Sequence, residues 1–281
     1  MLHVIEDSVM DSIKLIPFLF LAYLAMEYLE HRTGSRVQRW LKSADKAAPV
    51  IGGVLGAIPQ CGFSAAASNL YAGRVITMGT LIAIYLSTSD EMLPILLSER
   101  APMKMILSIL LMKAFLGMTA GLVIDFVRRK MGVKNQGGIH DICEQEHCHC
   151  EKGIWFSAIQ HTVQIACFIL LVTFLLNMIL YFTGEDFLAE LMSNKPVLSP
   201  MLAGLVGLIP NCAGSVIITE LYLDGTLGLG AAMAGLLAGS GVGILVLFRV
   251  NHNKKENLCI LGLLYGIGVG TGIVMELLLH G

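Results

Sequence analysis

Charged residues are scarce in this chain. Of its 281 residues only 14% are Asp, Glu, Lys or Arg, while 55% are hydrophobic, and the formal net charge is −2. A soluble domain carries roughly 25% charged residues, and the mean hydropathy here is +0.72. Water is therefore not the main solvent, and we expect a lipid bilayer as partner. The lack of a basic tract argues against nucleic acid.

The N-terminus lacks the features of a removable signal peptide. The segment MLHVIEDSVMDSIK is acidic, has no basic n-region and precedes the first apolar stretch without a small-residue cleavage site. The first span is therefore expected to be retained. The seven cysteines also lack the pattern of an extracellular disulfide framework, because three of them, Cys143, Cys148 and Cys150, share one polar loop. We expect reduced or metal-bound thiols.

Long apolar stretches are abundant. A bilayer core of ~30 Å needs about 20 apolar residues per helical crossing. Two further stretches, 49–72 and 200–222, contain a central proline and many glycines, which predicts broken helices instead of simple spans. The simple spans are predicted at 12–30, 75–97, 104–127, 155–182, 226–249 and 257–280.

The two broken segments are copies of one pattern. PVIGGVLGAIPQCGFS begins at Pro49 and PMLAGLVGLIPNCAGS begins at Pro200, 151 residues later, with no gap. Such register indicates an internal duplication. Identical residues at this offset are Pro49/Pro200, Gly53/Gly204, Gly56/Gly207, Ile58/Ile209, Pro59/Pro210, Cys61/Cys212, Ser64/Ser215, Leu70/Leu221, Tyr71/Tyr222, Gly79/Gly230, Ala83/Ala234, Ser89/Ser240, Lys104/Lys255, Gly117/Gly268 and Gly121/Gly272.

Charges in the loops predict opposite orientations for the two copies. The loop after the first span, HRTGSRVQRWLKSADK, is basic and is expected in the cytoplasm, whereas its counterpart, TGEDFLAELMSNK, is acidic apart from Lys195 and is expected outside. Basic clusters at 128–134 and 249–255 are expected in the cytoplasm. The loops can lie on these predicted sides only if each half crosses the membrane an odd number of times. The proline-broken segment would then enter and leave the membrane on the same side.

The predicted fold is an all-α polytopic protein of the inner membrane. It would contain two inverted-topology repeats, each with about three spanning helices and a proline-broken re-entrant hairpin. The first repeat would be 1–127 and the second 154–281, joined by a cytoplasmic His/Cys-rich linker at 128–153, with both termini outside. The alternative is a parallel repeat in which the broken segment spans fully. The composition also allows a homodimer.

The proline breaks are the first candidate site. Proline removes an amide donor and disturbs the preceding turn, so backbone groups near Pro59 and Pro210 lose their helical partners. Unwound backbone inside a bilayer must be satisfied by protein or water. A simple packing kink is the alternative. The candidate binding residues are Gln60, Cys61, Ser64, Asn211, Cys212 and Ser215.

Acidic residues inside an apolar span form the second candidate. In YLSTSDEMLP, Ser89, Asp90 and Glu91 lie near the middle of a predicted span, where each charge costs about 2.5 to 3.5 kcal/mol. The counterpart retains Ser240 but no acid, while Glu220 follows the second hairpin. These groups could bind a cation or exchange it for a proton. A salt bridge with Lys113 is the alternative. Glu27, Asp125 and Glu276, near span ends, are expected to be solvated or to lie at the membrane interface.

The central loop could hold a metal ion. IHDICEQEHCHCEKG combines thiols with imidazoles, which suits zinc, copper and other soft or borderline metals. Its spacing fits no standard zinc module, so the alternatives are a metal-capturing tether and a polar linker. The candidate ligands are His140, Cys143, His147, Cys148, His149 and Cys150.

The sequences IPQCGFS and IPNCAGS, with the His/Cys-rich loop between them, resemble a family of ten-segment heavy-metal exporters. That family is arsenical-permease-like by name and is also labelled as manganese transporters. The resemblance implies metal export. Manganese prefers oxygen ligands, whereas paired cysteines fit zinc or other soft metals, and both remain open.

The sequence thus predicts a secondary-active transporter and no enzyme, since no nucleotide-binding motif is present to drive transport. A divalent or heavy-metal ion would cross at the interface of the repeats, with no required cofactor. One alternative is the transport of an oxyanion or carboxylate coupled to sodium or protons, attracted by helix N-termini. Another is a membrane metal sensor or thiol protein acting through Cys148 and Cys150.

Overall fold

The computed structural model describes residues 47–57, 61–89, 92–132, 197–210 and 212–280, with scattered residues in 16–24 and 159–178. No strand occurs in this part of the chain. The linker 128–153 lies largely outside it, together with most of the predicted spans 12–30 and 155–182. The described residues within those two spans are helical, as predicted.

Ten helices form the two long described stretches, five in each half. The first half contains α1 (Ala48–Gly56), α2 (Cys61–Ala72), α3 (Met78–Ser87), α4 (Met92–Ser98) and α5 (Met103–Lys130). The second contains α6 (Leu198–Gly207), α7 (Cys212–Leu223), α8 (Leu229–Ala238), α9 (Gly243–Val250) and α10 (Lys254–His280). Helices α2 to α5 each begin 151 residues before α7 to α10, so the helix bounds follow the sequence repeat.

Four segments are long and apolar enough to cross a membrane. They are Met78–Ser98, Met103–Lys130, Leu229–Val250 and Lys254–Leu278. Helices are therefore present at the predicted spans 75–97, 104–127, 226–249 and 257–280, and the all-helical described structure is consistent with a polytopic membrane protein. Large apolar side chains on α5, among them Leu111, Phe115 and Phe126, are exposed, as expected for a helix that faces lipid.

Two of these four spans are discontinuous, which differs from the prediction of simple spans. Helix α3 ends at Ser87 and α4 begins only at Met92, and α8 ends at Ala238 before α9 begins at Gly243. The intervening residues are Thr88-Ser-Asp-Glu91 and Gly239-Ser-Gly-Val242. Short polar residues compete for backbone hydrogen bonds and glycine weakens helices, and Gly241 adopts a positive φ of 53°.

The breaks near the repeated prolines are present as predicted. Helix α1 ends three residues before Pro59 and α2 begins at Cys61, while α6 and α7 leave the same interval around Pro210. With 9 and 12 residues, α1 and α2 are about 14 and 18 Å long at ~1.5 Å per residue. Neither is long enough to cross a bilayer core of ~30 Å alone.

Glycines let the backbones of α3 and α5 approach closely. A Cβ on Gly121 would meet the carbonyl oxygen of Gly79 and would lie 2.8 Å from the Cβ of Ala83. In the second half, a Cβ on Gly272 would meet Gly230 in the same way. Small residues at such crossings are typical of membrane helices, where packing replaces the hydrophobic effect as the driving force.

The halves exchange contacts reciprocally. Helix α2 of the first half packs on α9 of the second. Likewise, α7, which is the counterpart of α2, packs on α4, which is the counterpart of α9. Helices α3 and α8, which are counterparts of each other, are also in contact with each other across the interface. The most deeply buried core therefore lies where the halves meet, with Leu81, Tyr85 and Leu237 fully buried there.

Asp125 and Glu276 are buried, with 5% and 6% of their surface exposed, so the expectation of solvated carboxyls is wrong. Asp125 Oδ1 accepts a hydrogen bond from the Gly79 amide at 2.9 Å, and Oδ2 accepts one from Thr77 Oγ1 at 2.6 Å. The carboxyl thus binds amide and hydroxyl donors at the N-terminus of α3, where a negative charge is favourable. Glu276 lies against Gly228 and Gly230 at the N-terminus of α8.

We expect Asp125→Ala to lower stability by about 1 to 3 kcal/mol, because the donors of Thr77 and Gly79 would lose a buried acceptor. The apparent melting temperature in detergent measures the effect. Asp224→Ala, at an exposed position, is the matched control and should leave it unchanged. Equal melting temperatures for the two variants would contradict a capping role.

Candidate functional site

A small internal cavity lies between the two halves. Its volume of about 10 Å³ is close to that needed by one water molecule. Since helices of both halves contribute to its wall, it is a site that neither half could form alone. The lining residues are Thr88, Ser89, Met92 and Lys113 from the first half and Gly207, Ser215, Leu236, Gly239 and Gly241 from the second.

The cavity is bounded by the two counterpart breaks. Thr88 and Ser89 follow the last residue of α3, and Gly239 and Gly241 follow that of α8. The last carbonyls of a helix lack partners within the helix, so two helix C-termini bring carbonyl oxygens that need other donors toward one place. Oxygen-rich, partly unwound backbone of this kind binds cations in transporters built from repeats.

Hydroxyl groups satisfy part of this backbone. Thr88 Oγ1 donates to the carbonyl of Ile84 at 2.8 Å, within the last turn of α3. Ser89 Oγ donates to the carbonyl of Ala57 at 3.2 Å. The second bond connects the break in 88–91 to the proline break in 57–60. Both broken segments of the first half therefore meet beside the cavity.

Lys113 reaches the cavity from the middle of α5. Its side chain is 1% exposed, and Nζ donates a hydrogen bond of 2.6 Å to the carbonyl of Leu236 in the last turn of α8. An ammonium group at a helix C-terminus is favoured by the helix dipole. A charge buried in a membrane protein usually marks a functional site. Lys113 therefore links the halves and places a positive charge at the cavity.

The matching serine in the second half makes fewer hydrogen bonds. Ser240, the counterpart of Ser89, is 1% exposed, and its Oγ has no hydrogen-bond partner within the described part of the chain. A buried hydroxyl without a partner is costly in an apolar interior. Its neighbours Gly239 and Gly241 line the cavity. The two breaks are thus similar in position and different in chemistry.

Comparison with protein families agrees with this architecture. Residues 1–173 and 150–280 match the family described as "Putative, 10TM heavy-metal exporter". The chain belongs to this family. Comparisons with curated proteins and with solved structures gave no match. Membership in this exporter family supports metal transport across a membrane as the general function, in agreement with the resemblance seen in the sequence.

The structure of this exporter-family chain brings only some of the predicted site residues together. Ser89, Ser215 and Lys113 line the cavity, and Ser240 is buried next to it. Ser64 is buried too but lies elsewhere, next to Gly243, and Glu220 is exposed on α7. Cys61 and Cys212 begin α2 and α7. Their side chains lie outside the described residues, as do Gln60, Asp90, Glu91, Asn211 and the loop ligands at 140–150.

A polar cluster around Tyr85 was not predicted. Ser68 Oγ lies 2.6 Å from the Tyr85 hydroxyl and 2.8 Å from the carbonyl oxygens of Ser64 and Gly243. Gly243 begins α9 of the second half, so this cluster is a second polar connection between the halves. The sequence offset held a clue, because Tyr85 aligns with Leu236, whose carbonyl binds Lys113. Different residues at matching positions mark where the halves diverge in function.

Metal ligands are sparse in the described part of the chain. No group of three or more His, Cys, Asp or Glu side chains forms there. The side-chain polar groups of the cavity wall are the hydroxyls of Thr88, Ser89 and Ser215 and the amine of Lys113. The carboxyl-bearing Asp90 and Glu91 directly follow Ser89 in the chain and lie outside the described residues.

Gly239→Ala tests whether the cavity is used. A Cβ there would lie 3.3 Å from the carbonyl oxygen of Gly235, which is a tight contact, and 3.5 Å from that of Gly207, so the fold should accept it with a small backbone shift while the cavity shrinks. We expect a slightly lower apparent melting temperature and a transport rate reduced about tenfold. Gly270→Ala, where nothing lies within 4 Å of the added methyl, is the control. A fully active Gly239→Ala protein would remove the cavity from the transport route.

Proposed function

We propose that this protein is a secondary-active exporter of a divalent or heavy-metal ion, and that the ion crosses through the cavity between the two halves. The observation that carries the proposal is the meeting of two counterpart helix breaks at one interhalf cavity. Broken helices at a repeat interface are how many secondary transporters build their substrate site. Family membership supports metal as the cargo.

Contacts at the helix ends support an inverted arrangement of the halves. Tyr71, at the end of α2, donates a hydrogen bond of 3.2 Å to Glu256 in the first turn of α10. The Asp125–Gly79 bond places the last turns of α5 beside the start of α3, which follows α2 closely. Helix α5 would therefore end where α10 begins. At the opposite end, Tyr222 of α7 lies 3.8 Å from the sulfur of Met105 in the first turn of α5.

Contacts of the first proline-broken segment support a re-entrant hairpin. Pro49, at the start of α1, lies in a surface groove with Asp125 and Arg129 near the end of α5. Ala57, just after α1, instead accepts a hydrogen bond from Ser89 at the break that follows α3. Helix α2 then leads back to Tyr71, at the end of the molecule where Pro49 lies. Such a segment would enter and leave on one side of the membrane.

Basic residues suggest which side this is. Arg128, Arg129 and Lys130 end α5, and Lys254 and Lys255 begin α10 at the same end of the molecule in the proposed arrangement. Positive residues favour the cytoplasm. The proposal therefore places the linker 128–153 in the cytoplasm and both termini outside, in two repeats at 1–127 and 154–281. The His/Cys-rich loop would then capture metal on the side from which it is exported.

Coupling would use the charges at the first-half break. Asp90 and Glu91 would bind the cation together with hydroxyl and backbone oxygens, or take up protons when it leaves. Lys113 would occupy nearby acceptors, including the Leu236 carbonyl, when no cation is bound. Manganese would rely on these oxygen ligands, whereas zinc and softer metals would also use Cys61 and Cys212. Proton or sodium exchange would supply the energy, and no cofactor is required.

One observation favours a second candidate, the transport of an oxyanion. The ammonium of Lys113 and the hydroxyls of Thr88, Ser89 and Ser215 line the cavity, and all of these groups can donate hydrogen bonds to an anion. Lys113 would then bind the substrate directly. The carboxyls that follow Ser89 would instead couple transport to protons or sodium.

Site-directed labelling tests the inverted arrangement. We expect Lys42→Cys and Lys130→Cys to react with an impermeant maleimide only from the cytoplasmic side, and Lys195→Cys only from the outside. Labelling of intact cells and of inside-out vesicles distinguishes the two sides of the membrane. The wild-type protein gives the baseline reaction of the native cysteines. Reaction of positions 42 and 195 from the same side would contradict inverted repeats.

Metal flux into inside-out vesicles tests the transport proposal. Asp90→Asn and the double variant Cys61→Ser/Cys212→Ser should lower the rate at least about tenfold, because each removes ligands of the bound cation. Exposed Glu99→Gln and Cys259→Ser are matched controls that should transport normally. Deleting 140–150 should reduce transport only at low metal concentration.

The same assay separates the competing functions. Normal metal flux in the carboxyl and cysteine variants would reject the proposed site. A loss confined to the loop deletion would favour a metal sensor. An oxyanion flux that is sodium- or proton-dependent and disappears in Lys113→Met, but persists in Lys104→Met, would favour the second candidate.

A further inference from the structure

The two halves are also held together by a charged contact away from the cavity. Arg74 Nη1 donates to Glu256 Oε2 at 2.9 Å, and the Tyr71 hydroxyl donates to the same oxygen at 3.2 Å. The Arg74 guanidinium lies over the Tyr71 ring, 5.4 Å from its centre. Arg74 and Glu256 side chains are only 19% and 23% exposed, so the pair is better shielded from solvent than a surface ion pair.

The backbone of Arg74 is strained. Its φ is 57°, a left-handed conformation that residues with a Cβ rarely adopt. The counterpart in the second half is Gly225, with φ 76°, where glycine adopts this conformation without strain. Strain that persists at a polar contact often marks a functional position. An arginine stands here in place of glycine, and its guanidinium spans the boundary between the halves.

The opposite end of the interface has the same geometry without the charges. Tyr222, the counterpart of Tyr71, contacts Met105, the counterpart of Glu256, and its hydroxyl lies 3.8 Å from the methionine sulfur. A thioether is a weak acceptor. One end of the interhalf contact is therefore joined by an ion pair and a charge-assisted hydrogen bond to Glu256, and the other by a weak polar contact. The cation–π contact between Arg74 and Tyr71 lies within the first half and holds the two donors together.

We infer that Tyr71, Arg74 and Glu256 form a latch that closes the cavity at the end where α5 ends and α10 begins. The role of this latch as a gate rests on the proposed transport function. In this proposal, solute that enters from that end passes between the end of α2 and the start of α10, so the latch contacts break first. Arg128 lies beside Tyr71 and adds positive charge around Glu256. The other end, which lacks these charges, opens more readily.

Hydrogen exchange of the purified full-length protein in nanodiscs tests the latch without any transported ion. We expect Arg74→Gly and Glu256→Gln to speed amide exchange about tenfold at the cavity breaks, 86–92 and 239–243, since each variant removes a charged hydrogen bond. Arg100→Gly is the matched control. Arg100 also has a left-handed φ, of 53°, but is exposed, so its replacement relieves similar strain without loosening the interface.

Two further comparisons make the test specific. The double variant Arg74→Gly/Glu256→Gln should exchange no faster than Glu256→Gln alone, because Glu256→Gln already removes the charged acceptor of both Arg74 and Tyr71. Tyr71→Phe should speed exchange at the breaks, and Tyr222→Phe should have little effect. Faster exchange confined to 71–76, additive single effects, or equal effects of the two tyrosine variants would each overturn the latch. These readouts do not involve metal, so a protein that fails to export metal could still possess the latch.

Discussion

Backbone groups that lose their helical partners inside a membrane must find other partners within the protein. This constraint explains where the four helix breaks lie. In the first half, Ser89 donates to Ala57, so the break after α3 satisfies the end of the proline break. In the second, Lys113 donates to Leu236 across the boundary between halves. Lipid supplies no such partners, and the breaks therefore gather where the two halves enclose them.

The scaffold around the breaks serves the same constraint. Gly79 and Gly121 let α3 approach α5 closely, so the broken helix is surrounded by backbone and small side chains. Asp125 then satisfies the N-terminus of α3, at the other end from the cavity. With its first turn fixed by a buried carboxyl, α3 presents its C-terminus to the centre. The second half repeats this arrangement with Gly230, Gly272 and Glu276.

Duplication gives the two halves matching helices, and a few substitutions make the halves chemically different. Lys113 aligns with Leu264, Arg74 with Gly225 and Glu256 with Met105. In each pair one half carries a charge and the other does not. A fully symmetric protein would open equally well at both ends and would bind solute equally in two related places. Charges placed in one copy remove that equivalence at the cavity and at the interface ends.

The sequence by itself determined four long apolar helices, the duplication and the breaks at Pro59 and Pro210, because hydrophobic length, register and proline act locally along the chain. It did not reveal the breaks after Ser87 and Ala238, since their short polar and glycine residues also occur within continuous membrane helices. Nor did it distinguish buried Asp125 from a solvated carboxyl at a span end. Only the tertiary structure decided that Lys113 meets Leu236 and that Arg74 meets Glu256. These pairs are 123 and 182 residues apart, and their contact depends on how the two halves pack.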